Sequence, residues 1–190
     1  MKYLVIYAHP NPRSFNHAVK EVVLSKLRGH AEKFEVRNLY ELKFDPVLSA
    51  GDFILLQQGK TSPDILKEQA YVKESDVLIF IYPVWWYGMP AILKGYIDRV
   101  FSHGFAYRIT EKGIEGLLKG KKVVIFNTTG GPEEHFREAG YLDALNKTAD
   151  AGIFGFCGME VILHQYLYAV PSISQEQRLE MLREVENSRF

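Results

Sequence analysis

Three short segments of the chain combine residue types that could bind a phosphorylated, planar ligand. The first places a cation, a hydroxyl group and a side-chain amide near the start of a candidate helix: His9, Arg13, Ser14, Phe15 and Asn16. Free backbone N–H groups and the positive end of the helix dipole favour an anion such as phosphate there. The same residues also suit a simple turn and helix cap, so this segment alone supports both interpretations equally.

The second segment, Pro83-Val84-Trp85-Trp86-Tyr87, contains three consecutive aromatic residues. Their side chains could close the top of the hydrophobic core, which is the commoner fate of aromatic residues. Three successive residues cannot all point into one core, however. At least one of them is therefore predicted to offer its face to a flat heteroaromatic ligand.

The third segment, Thr128-Thr129-Gly130-Gly131, lacks side chains where the backbone must come close to something, and it presents successive N–H donors. A simple Gly-Gly turn explains these residues less fully. Together the three segments specify a phosphate, a planar ring and polar ring edges, which a flavin nucleotide supplies and a sugar phosphate does not. The chain has no G-x-G-x-x-G sequence, which disfavours a Rossmann dinucleotide site.

The elements around these segments alternate between strands and helices. Unbroken apolar runs predict strands buried on both faces at 3–8, 77–82 and 123–126. An alternating run predicts an edge strand at 34–39, and 159–163 offers a fifth strand. Helices are predicted to begin after Ser14, Ser62, Pro90 and Ser174, and another to cover 141–151.

This alternation predicts an α/β fold: a doubly wound five-stranded parallel sheet in the order 2-1-3-4-5, with helices on both faces. Residues 1–190 are expected to form a single domain. In that strand order the three segments follow neighbouring strands at the carboxyl edge of the sheet. We therefore expect them to meet at one crevice.

The composition excludes several function classes. The 23 Lys and Arg residues balance 23 Asp and Glu residues without a basic run, which disfavours nucleic acid and anionic membranes as partners. No apolar stretch approaches the roughly 20 residues of a membrane span, and the N-terminus predicts a first strand rather than a signal peptide. The lone Cys157 fits a reducing, cytoplasmic location, and the six histidines show no metal-ligand spacing.

Motifs along nearly the whole chain resemble the DT-diaphorase type of NAD(P)H:quinone oxidoreductases, which have a flavodoxin-like fold. The middle block from Trp86 to Gly95 and the Thr-Thr-Gly-Gly segment are the specific ones. The shared motifs are Ala8-His9, Ser14-Phe15-Asn16, Ser62-Pro63-Asp64-Ile65, Glu68-Gln69, Trp86-Tyr87-Gly88-Met89-Pro90-Ala91-Ile92-Leu93-Lys94-Gly95, Arg99-Val100-Phe101, Gly104-Phe105-Ala106-Tyr107, Thr128-Thr129-Gly130-Gly131 and Phe156-Cys157-Gly158.

The resemblance implies a bound flavin, FMN or FAD, with NAD(P)H as co-substrate. His9, Phe15 and Asn16 would then hold the phosphate and ribityl side of the flavin. Arg13 and Ser14 would assist them.

The resemblance also assigns the remaining site residues. Residues 83–87 would cover the isoalloxazine ring, and residues 128–131 would hydrogen-bond its pyrimidine edge. Arg178 corresponds to a position that reaches the cofactor phosphates in long relatives, although an arginine in a last helix is more often solvated. Family members are homodimers with the site at the subunit interface, where Tyr107 would line the partner's substrate pocket. The short C-terminus resembles that of the short bacterial members.

Two departures from the family pattern concern the reduced flavin. Phe136 and Leu142 stand where the animal enzymes carry a tyrosine and a histidine, so that acid–base pair is not transferable. A second pocket tyrosine is Ile109 here. His135 lies beside the missing tyrosine position and is a candidate catalytic substitute, although an exposed loop histidine is an equally good interpretation.

The predicted function is therefore ping-pong hydride transfer from NAD(P)H through a flavin to a quinone or a similar acceptor. Two alternatives stay open. The chain could be a flavin-binding regulatory subunit that associates peripherally with a potassium-efflux transporter, as similar short bacterial proteins do. It could also be a flavodoxin-like electron carrier, although flavodoxins tend to be strongly acidic and this chain is neutral.

Overall fold

A computed structural model describes all 190 residues and contains a central sheet of five parallel strands. The sheet order is β2-β1-β3-β6-β7. Its strands are β1 (Lys2–Tyr7), β2 (Lys33–Asn38), β3 (Val77–Pro83), β6 (Lys122–Thr128) and β7 (Glu160–Leu167). Two short strands, β4 (Tyr107–Thr110) and β5 (Gly113–Gly116), form a separate antiparallel hairpin.

The predicted α/β sheet is present, but its strand numbering is corrected. The order 2-1-3-4-5 becomes 2-1-3-6-7 because β4 and β5 precede the last two sheet strands in the chain. These hairpin strands escaped prediction because they have four residues each, which is too short for an apolar period to stand out. The last strand also ends at Leu167 rather than at residue 163.

Seven α-helices connect the strands. They are α1 (Phe15–His30), α2 (Ala50–Gln57), α3 (Pro63–Glu74), α4 (Ala91–Val100), α5 (Glu133–Glu138), α6 (Tyr141–Asn146) and α7 (Gln175–Asn187). Ser14 caps α1 by accepting the His17 N–H at 3.2 Å, and Ser174 forms a capping box with Gln177. The helix predicted over 141–151 is instead α6 followed by a π-helical segment, Lys147–Gly155.

The side chains of the central strands alternate between two cores, one on each face of the sheet. On one face Val5 packs with α1 and α7, which contribute apolar side chains such as Val23 and Val185. On the other face Ile6 packs with α3 and α4, which contribute side chains such as Val72 and Leu93. Every residue of β3 is buried. This explains why the strand has an unbroken apolar sequence.

The register brings the carboxyl ends of three strands together. Tyr7 of β1 pairs with Ile81 of β3, and Pro83 of β3 pairs with Thr128 of β6. The segments that follow these strands therefore leave the sheet side by side, at the point where the winding direction changes. None of the helices is both long enough and apolar enough to cross a membrane.

Candidate functional site

The first segment surrounds the N-terminus of α1. The Asn11 N–H donates to His9 Nδ1 at 3.0 Å, so the neutral ring carries its hydrogen on Nε2. Burial lowers the pKa of His9, which favours this neutral form. The Asn11 Oδ1 accepts the Arg13 N–H at 2.9 Å and fixes the turn before the helix. A ring N–H donor and a helix N-terminus thus lie on the same side of the crevice.

Asn16 joins this segment to the end of β6. Its side chain is buried, and its Nδ2 donates to Thr128 Oγ1 at 2.7 Å. Its Oδ1 is also buried and has no hydrogen-bond partner within the protein. A buried acceptor without a partner costs roughly 1–3 kcal/mol, so this oxygen is poised to accept a hydrogen bond from a bound molecule.

The aromatic segment forms a strained turn in which one indole ring points into solvent. Trp86 and Tyr87 have φ values of +49° and +55°, a left-handed conformation that non-glycine residues rarely adopt. Trp85 and Gly88 close the turn with two backbone hydrogen bonds of 3.0 Å. The Trp86 side chain is 98% exposed. It therefore does not close the core, and its ring is free to stack on a ligand.

Trp85, Pro83 and Val84 occupy different places in the same segment. Trp85 is partly exposed and lies against the His9 ring, with 5.7 Å between ring centroids. Pro83 is the last residue of β3, and the Val84 N–H donates to the Thr128 carbonyl at 2.8 Å. Pro83 and Val84 thus connect the end of β3 to the aromatic turn and lie next to the third segment.

The third segment has fewer free donors than its sequence suggests. The Thr129 N–H is not free because it donates to the Leu167 carbonyl at 2.9 Å. Its hydroxyl donates to the Gly131 carbonyl at 2.8 Å. No backbone hydrogen bond engages the N–H of Gly130 or Gly131. The successive N–H donors expected in this segment are therefore only those of Gly130 and Gly131, because β7 already engages the N–H of Thr129.

His135 lies in an aromatic cluster next to the turn. It is exposed on α5, and its Nε2 lies 3.1 Å from the Tyr87 hydroxyl. The Tyr87 ring packs on Tyr141 with centroids 4.0 Å apart. Partial desolvation and the neighbouring Tyr141 hydroxyl raise the pKa of Tyr87, so its hydroxyl stays protonated beside His135. Tyr141 was predicted only as the start of a helix, because its contact with the distant Tyr87 leaves no local signal in the sequence.

Arg178 and Arg13 line a cleft of about 380 Å³ between α1 and α7. The Arg178 guanidinium donates to the carbonyls of Ile173 and Val170 at 2.8 and 3.1 Å. These bonds hold it in a fixed position at the cleft, in contrast to a solvated surface arginine. The cleft continues from the first segment, since Ser14 also lines it.

Tyr107 lies at a different place from the three segments. It is on the β4–β5 hairpin, with His103 and Phe156 at centroid distances of 5.6 and 5.0 Å. It lines a separate cavity of about 150 Å³ beside α2.

Cys157 is buried, and burial raises its pKa to about 11, so the thiol is protonated and inert at neutral pH.

The doubly wound sheet and the crevice beyond β1, β3 and β6 define a flavodoxin-like protein. The family model described as a flavodoxin-like fold matches residues 1–188. The curated relatives include NAD(P)H dehydrogenase [quinone] 1 of Cavia porcellus, 35% identical over 94% of this chain and 72% of that protein. They also include an uncharacterized NAD(P)H oxidoreductase of Haemophilus influenzae, 36% identical over 96% of this chain and 91% of that protein.

Among solved structures, the NAD(P)H:quinone oxidoreductase from Methanothermobacter marburgensis superposes with a TM-score of 0.89. It is 27% identical, and the match covers 98% of this chain and 95% of that one. The chain belongs to the NAD(P)H:quinone oxidoreductase family of flavodoxin-like proteins. The resemblance drawn from the sequence motifs is thereby confirmed.

Proposed function

We propose that this chain is a flavin-dependent NAD(P)H:quinone oxidoreductase. The observation that carries the proposal is the direct connection between the three segments. Asn16 bonds the Thr128 side chain, and the Thr128 carbonyl accepts the Val84 N–H. A helix N-terminus, an exposed indole and free backbone donors therefore share one crevice, in a chain related to quinone dehydrogenases.

The residues of the crevice fit a flavin. The partnerless Asn16 Oδ1 suits a ribityl hydroxyl, which is a hydrogen-bond donor. The exposed Trp86 ring suits the isoalloxazine face. A side chain built at Gly130 would meet no protein atom within 4 Å, so the glycine leaves room there for a ligand.

Each part of the crevice has one proposed task. The α1 N-terminus, with the His9 Nε2–H and Ser14, holds the phosphate, and Phe15 and Arg13 flank it. The N–H groups of Gly130 and Gly131 bind the polar ring edge, where they stabilise developing negative charge. A flavin held by these residues would supply the hydride chemistry between NAD(P)H and a quinone.

Arg178 is proposed to contact the cofactor's phosphate end from the α1–α7 cleft. The cleft is continuous with Ser14 and holds two arginines within reach of an anion, Arg13 and Arg178. A cleft of about 380 Å³ has room for groups beyond a single phosphate. Whether the resident flavin is FMN or FAD is decided by the mass of the cofactor released from the purified protein.

We propose His135 as the group that stabilises charge on the reduced cofactor. Its Nε2 lies 3.1 Å from the Tyr87 hydroxyl, so the His135 ring is held beside the aromatic turn. His135→Ala is expected to lower kcat about tenfold, while the dissociation constant for flavin stays essentially unchanged. Stopped-flow reduction and flavin titration measure the two effects. His30→Ala, which removes an exposed imidazole at the C-terminal end of α1, is the control. Equal kcat values for wild type and His135→Ala would remove His135 from the mechanism.

A homodimer is proposed from an exposed apolar face. Helix α2 contains no buried residue, and Phe53 and Ile54 are 52% and 55% exposed. Arg99 bonds Asp52 and Asp64, each at 3.0 Å, and so holds this exposed helix against the body of the fold. An exposed apolar helix of this kind favours packing against a second copy of the chain. Such a dimer would place the separate Tyr107 cavity at the subunit interface.

Phe53→Glu is expected to convert the proposed dimer into a monomer, because it places a charge in the centre of the apolar face. Sedimentation velocity at micromolar concentration measures the change. Lys67→Glu, on an exposed position of α3, is expected to leave the assembly unchanged. A wild-type protein that sediments as a monomer would refute the proposed dimer.

The proposed function is tested by reducing the purified protein without oxygen. Adding NADPH or NADH is expected to bleach the absorption of bound flavin, and a quinone is expected to restore it. A protein that carries no flavin, or whose flavin is not bleached, would refute the proposal. A stable blue semiquinone on titration would favour the electron carrier instead, and retention by transporter-containing membranes would favour the regulatory subunit.

The relatives quoted above carry oxidoreductase and dehydrogenase names, which supports turnover over these two alternatives. The predicted single domain and cytoplasmic location are also proposals. The location rests on the one cysteine, which is buried and free.

A further inference from the structure

A chain of three polar side chains, two buried and one partly exposed, lies just below the crevice. Asp150 Oδ1 lies 2.7 Å from His164 Nδ1, and His164 Nε2 lies 2.8 Å from Asn127 Oδ1. The Asn127 Nδ2 then donates to the Tyr82 carbonyl at 3.1 Å. Asn127 is 1% exposed, and the His164 side chain is 7% exposed. We call these three side chains the Asp–His–Asn chain.

The direction of its hydrogen bonds is fixed at one end. The Tyr82 carbonyl can only accept, so the Asn127 amide nitrogen faces it and the amide oxygen faces His164. His164 therefore donates from Nε2 to Asn127 Oδ1, and the 2.7 Å contact between its Nδ1 and Asp150 Oδ1 holds the other side of the ring. Each polar atom that links Asp150, His164, Asn127 and the Tyr82 carbonyl has a hydrogen-bond partner, so the network is rigid.

The Asp–His–Asn chain ends at the roots of two crevice segments. Asn127 immediately precedes Thr128, and Tyr82 immediately precedes Pro83. Asn127 therefore links the base of the aromatic turn to the base of the third segment. On the other face of the sheet, Asn16 holds Thr128. The third segment is thus held from both faces.

Packing alone does not require polar residues at these positions. Ile125, the preceding β6 residue on the same face, is fully buried in an apolar core. A cavity of about 240 Å³ adjoins Asn127, His164 and Tyr87, so the region is not densely filled. Asp150 also lies in the π-helical segment, a rare conformation that is frequently found at functional sites.

The strained aromatic turn needs such support. Left-handed residues like Trp86 and Tyr87 persist only where their surroundings over-determine the backbone. The turn is anchored by the Val84 N–H bond to the Thr128 carbonyl, which lies directly beside the Asn127 link. Because Asn127 precedes Thr128 and also bonds the Tyr82 carbonyl, a shift of Asn127 would move both Thr128 and Val84.

We propose that Asp150, His164 and Asn127 are positioning residues that set the geometry between the aromatic turn and the third segment, and thereby the affinity for flavin. Only the effect on flavin affinity rests on the proposed function. The geometry of the two segments is measurable in the flavin-free protein.

The test compares His164→Leu with His164→Gln. Leucine removes the donor to Asn127, whereas the glutamine amide supplies an N–H near the Nε2 position. Tyr166→Phe is the matched control: it removes the neighbouring hydroxyl bond to Asn146 without touching Asn127. In flavin-free protein, His164→Leu is expected to speed amide exchange at Val84, Trp85 and Gly88 about tenfold. Amides of β1 and β2 are expected to stay protected.

For FMN, His164→Leu is expected to raise the dissociation constant about tenfold, while His164→Gln and Tyr166→Phe stay close to wild type. Asp150→Ala, at a partly exposed position, is expected to show the same local pattern at smaller amplitude and serves if His164→Leu does not fold. Exchange that rises equally in β1 and β2, or does not rise at all, would overturn the positioning role. Local loosening with an unchanged dissociation constant would overturn the link to affinity. A wild-type chain that binds no flavin would instead refute the proposed function, leaving the exchange result to decide the geometry.

Discussion

Trp86→Ala is expected to raise the dissociation constant for flavin about tenfold, because it removes the one fully exposed aromatic face at the crevice. Stacking of a base or ring on an aromatic side chain contributes roughly 1–3 kcal/mol. The indole is 98% exposed, so its removal should leave the free energy of unfolding of the flavin-free protein nearly unchanged. Fluorescence titration with FMN and with FAD, together with urea unfolding, measures both quantities.

Trp86→Phe is the matched variant, since it keeps an aromatic face on the same strained backbone. It is expected to retain most of the affinity. If Trp86→Ala bound flavin as tightly as wild type, the exposed indole would have no part in the cofactor site. A large loss of stability in the flavin-free protein would show that the side chain packs against the protein after all.

Gly130→Val is expected to weaken flavin binding by a larger factor, about a hundredfold. A Cβ at position 130 meets no protein atom within 4 Å, so the protein itself leaves space where the substitution begins. A ligand bound to the Gly130 N–H would occupy that space, and overpacking of this kind costs roughly 1–3 kcal/mol in addition to a displaced hydrogen bond. Isothermal titration of the flavin-free protein gives the change in affinity.

Gly29→Val controls for replacement of an open glycine far from the crevice, since a side chain there also meets no atom within 4 Å. It is expected to leave flavin affinity unchanged. Gly131 is a poorer test, because a side chain there would lie 3.3 Å from the Phe136 ring and disturb the protein directly. Wild-type affinity in Gly130→Val would place the ligand elsewhere and contradict the proposed contact.

The two variants separate two ways in which a crevice binds a planar ring. Trp86 offers an attractive face, whereas Gly130 acts by leaving room and a free N–H. Both residues are accessible in the flavin-free protein, so neither substitution should unfold it. Losses of affinity without losses of stability would therefore report on the site alone.

The sequence by itself determined the sheet and the three segments at its carboxyl edge. Buried parallel strands must be apolar on both faces, so β1, β3 and β6 were recognisable from their unbroken runs. Helix caps are equally local, which is why Ser14 and Ser174 were correctly placed. The family motifs then named a chemistry for the segments between these elements.

Only the tertiary structure decided which groups of the site are free to bind. That Trp86 points outward depends on a left-handed turn, and that Thr129 has no free N–H depends on Leu167. Asn16 meets Thr128 across 112 positions of sequence, and His164 meets Asn127 across 37. Hydrogen-bond partners so distant in sequence leave no local period or cap signal, because they are set by strand order and helix packing rather than by neighbouring residues.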